Sequence, residues 1–228
     1  MEIKFNRNSL SIELEITLEC NLNCYGCNRL CNLKRNNKDS YMNINDIHKI
    51  FDDIKNNNLH IKKVAIMGGE PTLNPLYMEI YNIIRDVYKI NNVFVFSNGI
   101  NKIPDNIQCY IGRSKIKKFR NMFLSPLETG QEVKDNCRAP NDYGISISKI
   151  DGQIKYCLCG CGKMISILTK NKNYLKNNIK EIINLDLKKY QEQICNHCQF
   201  STIDKIYLKN DNSISNIFLD GYKDYMDS

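Results

Sequence analysis

The clearest hydrophobic pattern lies near the start of the chain, over residues 11–18. Apolar and polar residues alternate there, which is the period of a β-strand. The apolar positions are Ile12, Leu14, Ile16 and Leu18, and the polar positions are Ser11, Glu13, Glu15 and Thr17. Short apolar runs at 64–67 and 93–96 predict two more buried strands, and weaker runs lie at 107–111 and 119–124. The pattern therefore predicts a sheet whose first strand has one polar face.

Helical periods separate these strands. The first helix begins near residue 43, where Asn43 or Asn45 can cap it. Its apolar stripe consists of Ile44, Ile47, Phe51 and Ile54. A second stripe predicts a helix over 75–90, and a later one predicts a helix over 186–194. Strands that alternate with helices in this way predict an α/β fold with parallel strands.

The composition is that of an ordinary globular protein, except for its cysteines. The 228 residues are 42% hydrophobic and 25% charged, and the net charge of +7 is spread over scattered lysines. We therefore expect no nucleic-acid partner. No apolar run has the length of a membrane span, and the first ten residues lack a signal-peptide core, so we expect a cytoplasmic protein that contacts no membrane. In a reducing compartment, the eleven cysteines are more often metal ligands than disulfides.

Three cysteines follow the first predicted strand at once. Cys20, Cys24 and Cys27 are spaced four and three residues apart. Thiolates this close along the chain suit a single metal centre. A closed structural site requires four protein ligands, so three ligands leave one coordination position open to a small molecule. A zinc site with Cys31 as the fourth ligand is the alternative.

Two short motifs end the next two predicted strands. Gly68, Gly69 and Glu70 follow the strand at 64–67, and glycines there let the main chain approach a ligand while Glu70 supplies a fixed negative charge. Ser97 and Asn98 follow the third strand. Each motif alone is also typical of a simple tight turn.

Taken in order, the strand, the cysteine triplet, the helix and the Gly-Gly-Glu-Pro turn resemble the radical S-adenosylmethionine (SAM) enzymes. The resemblance implies a [4Fe–4S] cluster on Cys20, Cys24 and Cys27, with SAM on its open iron. It further implies that SAM contacts Gly68, Gly69, Glu70, Ser97 and Asn98. The family usually has an aromatic residue just before the third cysteine, but here that position is Gly26, so Tyr25 is the candidate beside the adenine.

A second set of cysteines surrounds a predicted hairpin. Asp151-Gly152 is a dipeptide typical of hairpin turns, and β-rich runs at 143–150 and 153–157 flank it. Cysteines lie before the hairpin, at its end, and later as a Cys-x2-Cys pair. This pattern resembles the twitch domain, a short relative of the SPASM extension of radical SAM enzymes. It implies an auxiliary [4Fe–4S] cluster on Cys137, Cys157, Cys195 and Cys198.

Other interpretations of this second set stay open. Zinc accepts four thiolates at similar spacings. Cys159 and Cys161 lie among glycines beside Cys157. Either of them can replace Cys157 as a ligand, or act as a hydrogen-atom donor to a substrate radical, or simply fill a tight turn.

The predicted fold is α/β: a shortened radical SAM (β/α) barrel over residues 1–125, and a small α+β twitch-like domain over 126–228. The barrel is predicted to be shortened because few residues separate Gly99 from Cys137, and each βα unit takes about thirty. The resemblance implies that an electron from a flavodoxin or ferredoxin-type donor cleaves SAM, and that a 5′-deoxyadenosyl radical then removes a substrate hydrogen atom.

We expect oxidation of a small polar molecule, such as a sugar or an aminocyclitol, with the auxiliary cluster as an electron relay. The alternatives are modification or epimerisation of a peptide, and a non-catalytic module that binds an iron–sulfur cluster or zinc.

Overall fold

A six-stranded sheet forms the centre of the protein. The computed structural model describes residues 3, 5–22, 27, 29–31, 38–112 and 137–198. Its strands are β1 (Ser9–Thr17), β2 (His60–Gly68), β3 (Val93–Ser97), β4 (Cys109–Ile111), β5 (Ile145–Ile150) and β6 (Gln153–Cys157). Their order across the sheet is β4-β3-β2-β1-β5-β6, and only β5 and β6 pair antiparallel. Within the described residues the sheet is not closed, which agrees with the predicted incomplete barrel.

The first strand occupies a central position in this sheet. β1 pairs in parallel with β2 on one side and with β5 on the other. Its apolar residues belong to the core, as the alternating pattern predicts. Its polar residues are equally buried, because both faces of a central parallel strand are covered. The polar face therefore points into the protein, where its side chains need partners.

The helices follow the strands in chain order. They are α1 (Ile44–Asn56), α2 (Tyr77–Asn82), α3 (Ala139–Asp142), α4 (Gly160–Leu168), α5 (Ile179–Ile183) and α6 (Leu187–Gln193). The predicted cap of α1 is confirmed: Asn43 accepts from the N–H of Asp46, and the Asp46 carboxylate accepts from the N–H of Asn43. α6 is also where the sequence predicts a helix, and Asp186 caps it.

The predicted helix over 75–90 is wrong in one respect, because it is not continuous. A 3-10 turn (Pro71–Leu73) precedes α2, and a π-helical turn (Ile83–Val87) follows it. The backbone then turns out of the helix at Lys89, which has a φ of 56°. An apolar stripe indicates which side of a helix is buried. It does not show whether the main chain changes between α-, 3-10 and π-helical hydrogen bonding.

The predicted hairpin is confirmed, and it extends the N-terminal sheet. Asp151 and Gly152 both have positive φ, at 49° and 71°, as a tight hairpin turn between right-twisted strands requires. β5 also pairs with β1, with Ile12 opposite Ile145. The sheet thus continues past residue 125, and the predicted division of the chain at that residue stays a prediction.

Some expectations concern other parts of the chain. The strand predicted at 119–124 lies outside the described residues, and the one predicted at 107–111 is the short β4. α4 follows β6 almost directly, and the sequence pattern did not predict it. None of the helices in the described part of the chain combines the length and the apolar character needed to cross a membrane.

Candidate functional site

The Gly-Gly-Glu turn packs against the segment that leads to the first cysteine. The N–H of Gly69 donates to the carbonyl oxygen of Thr17 at 2.9 Å, and the N–H of Glu70 donates to that of Glu19 at 2.8 Å. A Cβ atom on Gly69 would lie 2.0 Å from the oxygen of Glu19, and Gly68 has a φ of 143°. Only glycine fits both positions. The two glycines thus let the turn approach the protein's own chain beside Cys20, and their contact with a ligand stays a prediction.

Glu70 joins the ends of β2 and β3. Its side chain is fully buried, at 0% exposed. One carboxylate oxygen accepts from the N–H of Thr72 at 3.2 Å, from its hydroxyl at 2.7 Å and from the Ser97 hydroxyl at 2.9 Å. The other oxygen accepts from the N–H of Asn98 at 2.8 Å. The carboxylate therefore fixes the Ser97-Asn98 turn relative to the Gly-Gly-Glu turn.

Asn98 in turn lies beside the first cysteine. Its side-chain nitrogen is 4.0 Å from the Cys20 sulfur and donates to the Asn21 side-chain oxygen at 2.7 Å. Cys20, Glu70, Ser97 and Asn98 are thus brought together, as expected for residues at the carboxyl ends of neighbouring parallel strands. Cys24, Tyr25 and Gly26 lie outside the described residues.

Cys27 lies in the same loop as Cys20, and its thiol contacts Cys31. A hydrogen bond from Cys31 lowers the pKa of Cys27 to about 6, against the opposing effect of burial. The same hydrogen bond, together with burial, raises the pKa of Cys31. A thiolate is the form that binds iron, so Cys27 suits the ligand role predicted for it. Because Cys31 is so close to Cys27, zinc bound by both cysteines stays an alternative.

The second cysteine set gathers around Tyr190, which is buried. The Tyr190 hydroxyl lies 3.7 Å from the Cys157 sulfur and 3.9 Å from the Cys159 sulfur. Cys159 caps α4 by accepting from the N–H of Gly162 at 3.3 Å. A Cβ atom on Gly162 would lie 1.6 Å from the Tyr190 hydroxyl, so this approach requires glycine.

Cysteines from the end of the described region complete this second group. Cys161 shares a hydrogen bond with Cys198, which raises the pKa of Cys161. Burial first, and the neighbouring thiols second, raise the pKa of Cys195, and Cys137 is among those neighbours. The region thus holds all four predicted ligands. Cys159 and Cys161, whose roles the sequence leaves open, are members of the same group.

Within the described residues, the thiols of the second set are neighbours, and so are those of Cys27 and Cys31, but they do not form a coordination shell. Over the described ranges, no three His, Cys, Asp or Glu side chains converge as ligands of one metal ion. Which thiols bind metal therefore stays a prediction. The chemistry of the donors fits iron–sulfur ligation, because both sets consist of cysteines and thiolates are the usual ligands of such clusters.

A buried group of charges on the polar face of β1 was not predicted. Arg29, two residues after Cys27, lies 2.6 Å from Glu15 and 2.9 Å from Glu13. It also approaches the Met67 sulfur at 3.2 Å. Burial opposes the charge of Arg29, but Glu13 and Glu15 raise its pKa. Arg29 thus ties the cysteine loop to the polar face of β1.

Lys163 of α4 reaches the same carboxylate from the other side. It forms an ion pair with Glu15 and approaches the Ser148 hydroxyl at 3.4 Å. The hydroxyls of Ser146 and Ser148 on β5 donate to Glu15 at 2.8 and 2.7 Å. Burial alone would raise the pKa of Glu15, but Lys163 and Arg29 lower it to about 2. The glutamates at alternate positions of a central parallel strand were the signal that could have revealed this group.

Comparison with known proteins gives consistent results along much of the chain. The sequence model of the radical SAM superfamily matches residues 14–144, which is more than half of the chain. Three curated relatives are similar over part of it. A probable GTP 3′,8-cyclase of Methanocaldococcus jannaschii is 35% identical over 100 residues, which are 44% of this chain and 32% of that protein. One of Methanococcus vannielii is 35% identical over 101 residues, again 44% and 32%. The GTP 3′,8-cyclase of Pasteurella multocida is 30% identical over 101 residues, 44% of this chain and 29% of that protein.

This chain thus spans about a third of the length of these relatives. A solved structure extends the similarity in fold to nearly the whole chain. BtrN in complex with AdoMet and 2-DOIA superimposes with a TM-score of 0.51 at 11% identity. The alignment covers 95% of this chain and 97% of BtrN, and it concerns the fold alone.

Proposed function

The chain belongs to the radical SAM superfamily, whose members bind a [4Fe–4S] cluster and SAM, and on that basis we propose that it is an enzyme that abstracts a hydrogen atom from its substrate. The bound cluster and SAM supply a 5′-deoxyadenosyl radical, and the protein supplies the orientation of both partners and excludes water. The electron comes from a flavodoxin or ferredoxin-type donor.

One observation carries this proposal: the ends of β1, β2 and β3 bring Cys20, Glu70 and Asn98 into one small region. The Cys20 sulfur is 4.0 Å from the Asn98 side chain, and Glu70 holds the Asn98 main chain at 2.8 Å. In our proposal, Cys20, Cys24 and Cys27 hold the cluster. Around the same strand ends lie the proposed SAM contacts Gly68, Gly69, Glu70, Ser97 and Asn98. Tyr25, which lies outside the described residues, is the proposed contact of the adenine.

The proposed substrate is a small polar molecule, such as a sugar or an aminocyclitol, which is oxidised. The surroundings of Cys20 support this proposal, because the side-chain amides of Asn21 and Asn98 lie there and Asn21 is exposed. Hydroxyl and amino groups of a substrate can pair with such amides, whereas an apolar substrate cannot. The panel of small molecules to be tested as substrates includes GTP, because the curated relatives are named for it.

A second cluster on Cys137, Cys157, Cys195 and Cys198 is the proposed electron relay to or from the substrate radical. The gathering of these thiols around Tyr190 supports it. Four protein ligands leave no iron open, so the relay role fits better than substrate binding.

The test is anaerobic reconstitution of the full chain, followed by measurement of iron content and of 5′-deoxyadenosine. We expect about eight irons per chain. A variant with Cys20, Cys24 and Cys27 replaced by Ala should keep about four irons and lose SAM cleavage. Cys109→Ser is the matched control, because Cys109 lies on β4 outside both cysteine groups and a serine hydroxyl can keep its hydrogen bond to the main chain of Ser97. It should change neither measurement.

Three results would overturn parts of the proposal. Protein that carries its first cluster and binds SAM, yet never cleaves it with a strong reductant, is a binding module and not an enzyme. Stoichiometric zinc without iron in anaerobically purified protein would contradict the proposed auxiliary cluster. If a peptide is converted and no member of the small-molecule panel is, the substrate is a peptide and not a small polar molecule.

A further inference from the structure

One buried carboxylate receives a cation from each cysteine-bearing segment. Arg29, two residues after Cys27, lies 2.6 Å from one oxygen of Glu15. Lys163, two residues after Cys161, pairs with the other oxygen. Glu15 is 0% exposed and Lys163 is 2% exposed. Two segments that are far apart in the sequence are therefore joined through a single side chain inside the protein.

The two segments also touch each other at this point. A Cβ atom on Gly160, the first residue of α4, would lie 2.0 Å from a guanidinium nitrogen of Arg29 and 2.9 Å from Glu13. The start of α4 thus packs directly on the ion pairs of the first cysteine loop. Glu13, Glu15, Arg29 and Lys163 carry two negative and two positive charges, so the group is balanced.

Stability alone is a poor explanation for such a group. Buried ion pairs lose much hydration energy, and apolar side chains of similar size often replace them with no loss of stability. The same charges have a large effect on their surroundings, since screening is weak inside a protein. Net charge and nearby hydrogen bonds are what set the reduction potential of an iron–sulfur cluster.

We propose that Glu15 is a positioning residue that acts through Arg29 and Lys163 and sets the charge beside both cysteine groups. The inference rests on the proposed function, since it concerns the two clusters assigned there. Removing the charge of Glu15 leaves the group with an excess positive charge, which stabilises the more negative, reduced form of a cluster. Removing the charge of Lys163 has the opposite effect. The two changes shift the potentials in opposite directions.

The test uses the reconstituted full chain and a redox titration followed by electron paramagnetic resonance. For Glu15→Gln, we expect the ratio of reduced to oxidised cluster at a fixed potential to rise at least threefold, which is about 28 mV for one electron. For Lys163→Met, we expect that ratio to fall by a similar factor. The double variant restores the charge balance and should return to within twofold of the wild type.

The matched control is Asp46→Asn. Asp46 pairs with Lys149 at 2.8 Å, and both side chains are mostly buried, but neither contacts a cysteine segment through this pair. Its loss should leave the potentials unchanged. If Glu15→Gln fails to fold, Lys163→Met and the charge-balanced double variant still decide the question.

The outcomes separate this inference from the function on which it rests. Wild-type protein that loads no iron overturns both. Wild-type protein that loads iron and cleaves SAM, with potentials that stay constant or shift the same way in both single variants, overturns the role of Glu15 alone. Shifts of opposite sign support it, because a merely structural role does not produce them.

Discussion

The side-chain amide of Asn74 donates a hydrogen bond of 2.8 Å to the main-chain oxygen of Ile16 in β1. The same nitrogen donates to the oxygen of Met42 at 3.0 Å, and the Asn74 side-chain oxygen accepts from the N–H of Leu76 at 2.9 Å. One side chain, 1% exposed, thus connects the strand before the first cysteine, the start of α1 and the start of α2. Asn74 thus holds these three segments together, although it lies outside the proposed contacts.

Replacing Asn74 by Ala should lower the free energy of unfolding by about 1–3 kcal/mol, because the oxygen of Met42 and the N–H of Leu76 lose their partner in the interior. Urea denaturation measures this loss. Asn91→Ala is the control, since Asn91 is exposed and its replacement should stay within about 0.5 kcal/mol. Equal midpoints for both variants would show that water replaces the amide.

Replacing Glu70 by Gln should weaken SAM binding by about tenfold if Glu70 contacts SAM as we propose, because the substitution removes its negative charge and keeps the size of the side chain. Titration of the reconstituted protein with SAM measures this change. Thr72→Val removes only one donor to the same carboxylate, and should change the affinity by about twofold or less. Unchanged affinity in Glu70→Gln would limit Glu70 to its internal bonds with Ser97 and Asn98.

Adding a methyl group at Gly162 should displace Tyr190 from the second cysteine group. The added Cβ atom would lie 1.6 Å from the Tyr190 hydroxyl, and overpacking of a buried contact costs about 1–3 kcal/mol. Thermal unfolding of Gly162→Ala, together with its iron content, measures the effect. Tyr190→Phe in the same chain removes the hydroxyl and should restore part of the stability. If Gly162→Ala loses the same stability with and without Tyr190→Phe, the clash does not involve the Tyr190 hydroxyl.

Single Ala replacements at Cys159 and Cys161 should separate the three roles that the sequence leaves open. A hydrogen donor loses turnover and keeps both clusters, a ligand loses about four irons, and a small residue in a turn loses neither. Iron content and product formation are measured on the same sample. Loss of iron in Cys161→Ala is the result to expect if its contact with Cys198 reflects shared ligation. That outcome would correct the predicted use of Cys157.

Acid should destabilise the protein through Glu15. Its pKa is lowered from 4.5 to about 2 in the folded state, so its contribution is complete above pH 4.5 and is lost as the pH falls toward 2. The lost contribution is about 3 kcal/mol. Urea denaturation of the wild type and of Glu15→Gln between pH 5 and 2 measures it. The variant should show a shallower dependence on pH, and parallel curves would contradict the assignment.

Local patterns were sufficient for much of the fold. The alternation around Ile12, the cap at Asn43 and the turn at Asp151-Gly152 each depend on neighbouring residues, and the structure confirms all three. The position of Cys20 beside Asn98 is compatible with the roles that the resemblance implies for both residues, since parallel strands end at one edge of the sheet. The ion pair between Glu15 and Lys163 could not be predicted from the sequence. Lys163 is 148 residues away, and its approach depends on α4 and on the pairing of β5 with β1, which no local pattern encodes.

The central place of β1 has a consequence for how the chain acquires its structure during synthesis. The ribosome releases β1 first, but one flank of that strand stays open until β5 emerges, since Glu15 and Ser148 are 133 residues apart. At ordinary elongation rates this interval is on the order of ten seconds. Contacts of such long range form slowly, and an open strand edge invites pairing with other chains in the meantime. The interval before the hairpin emerges is therefore the one in which β1 is most open to pairing with other chains.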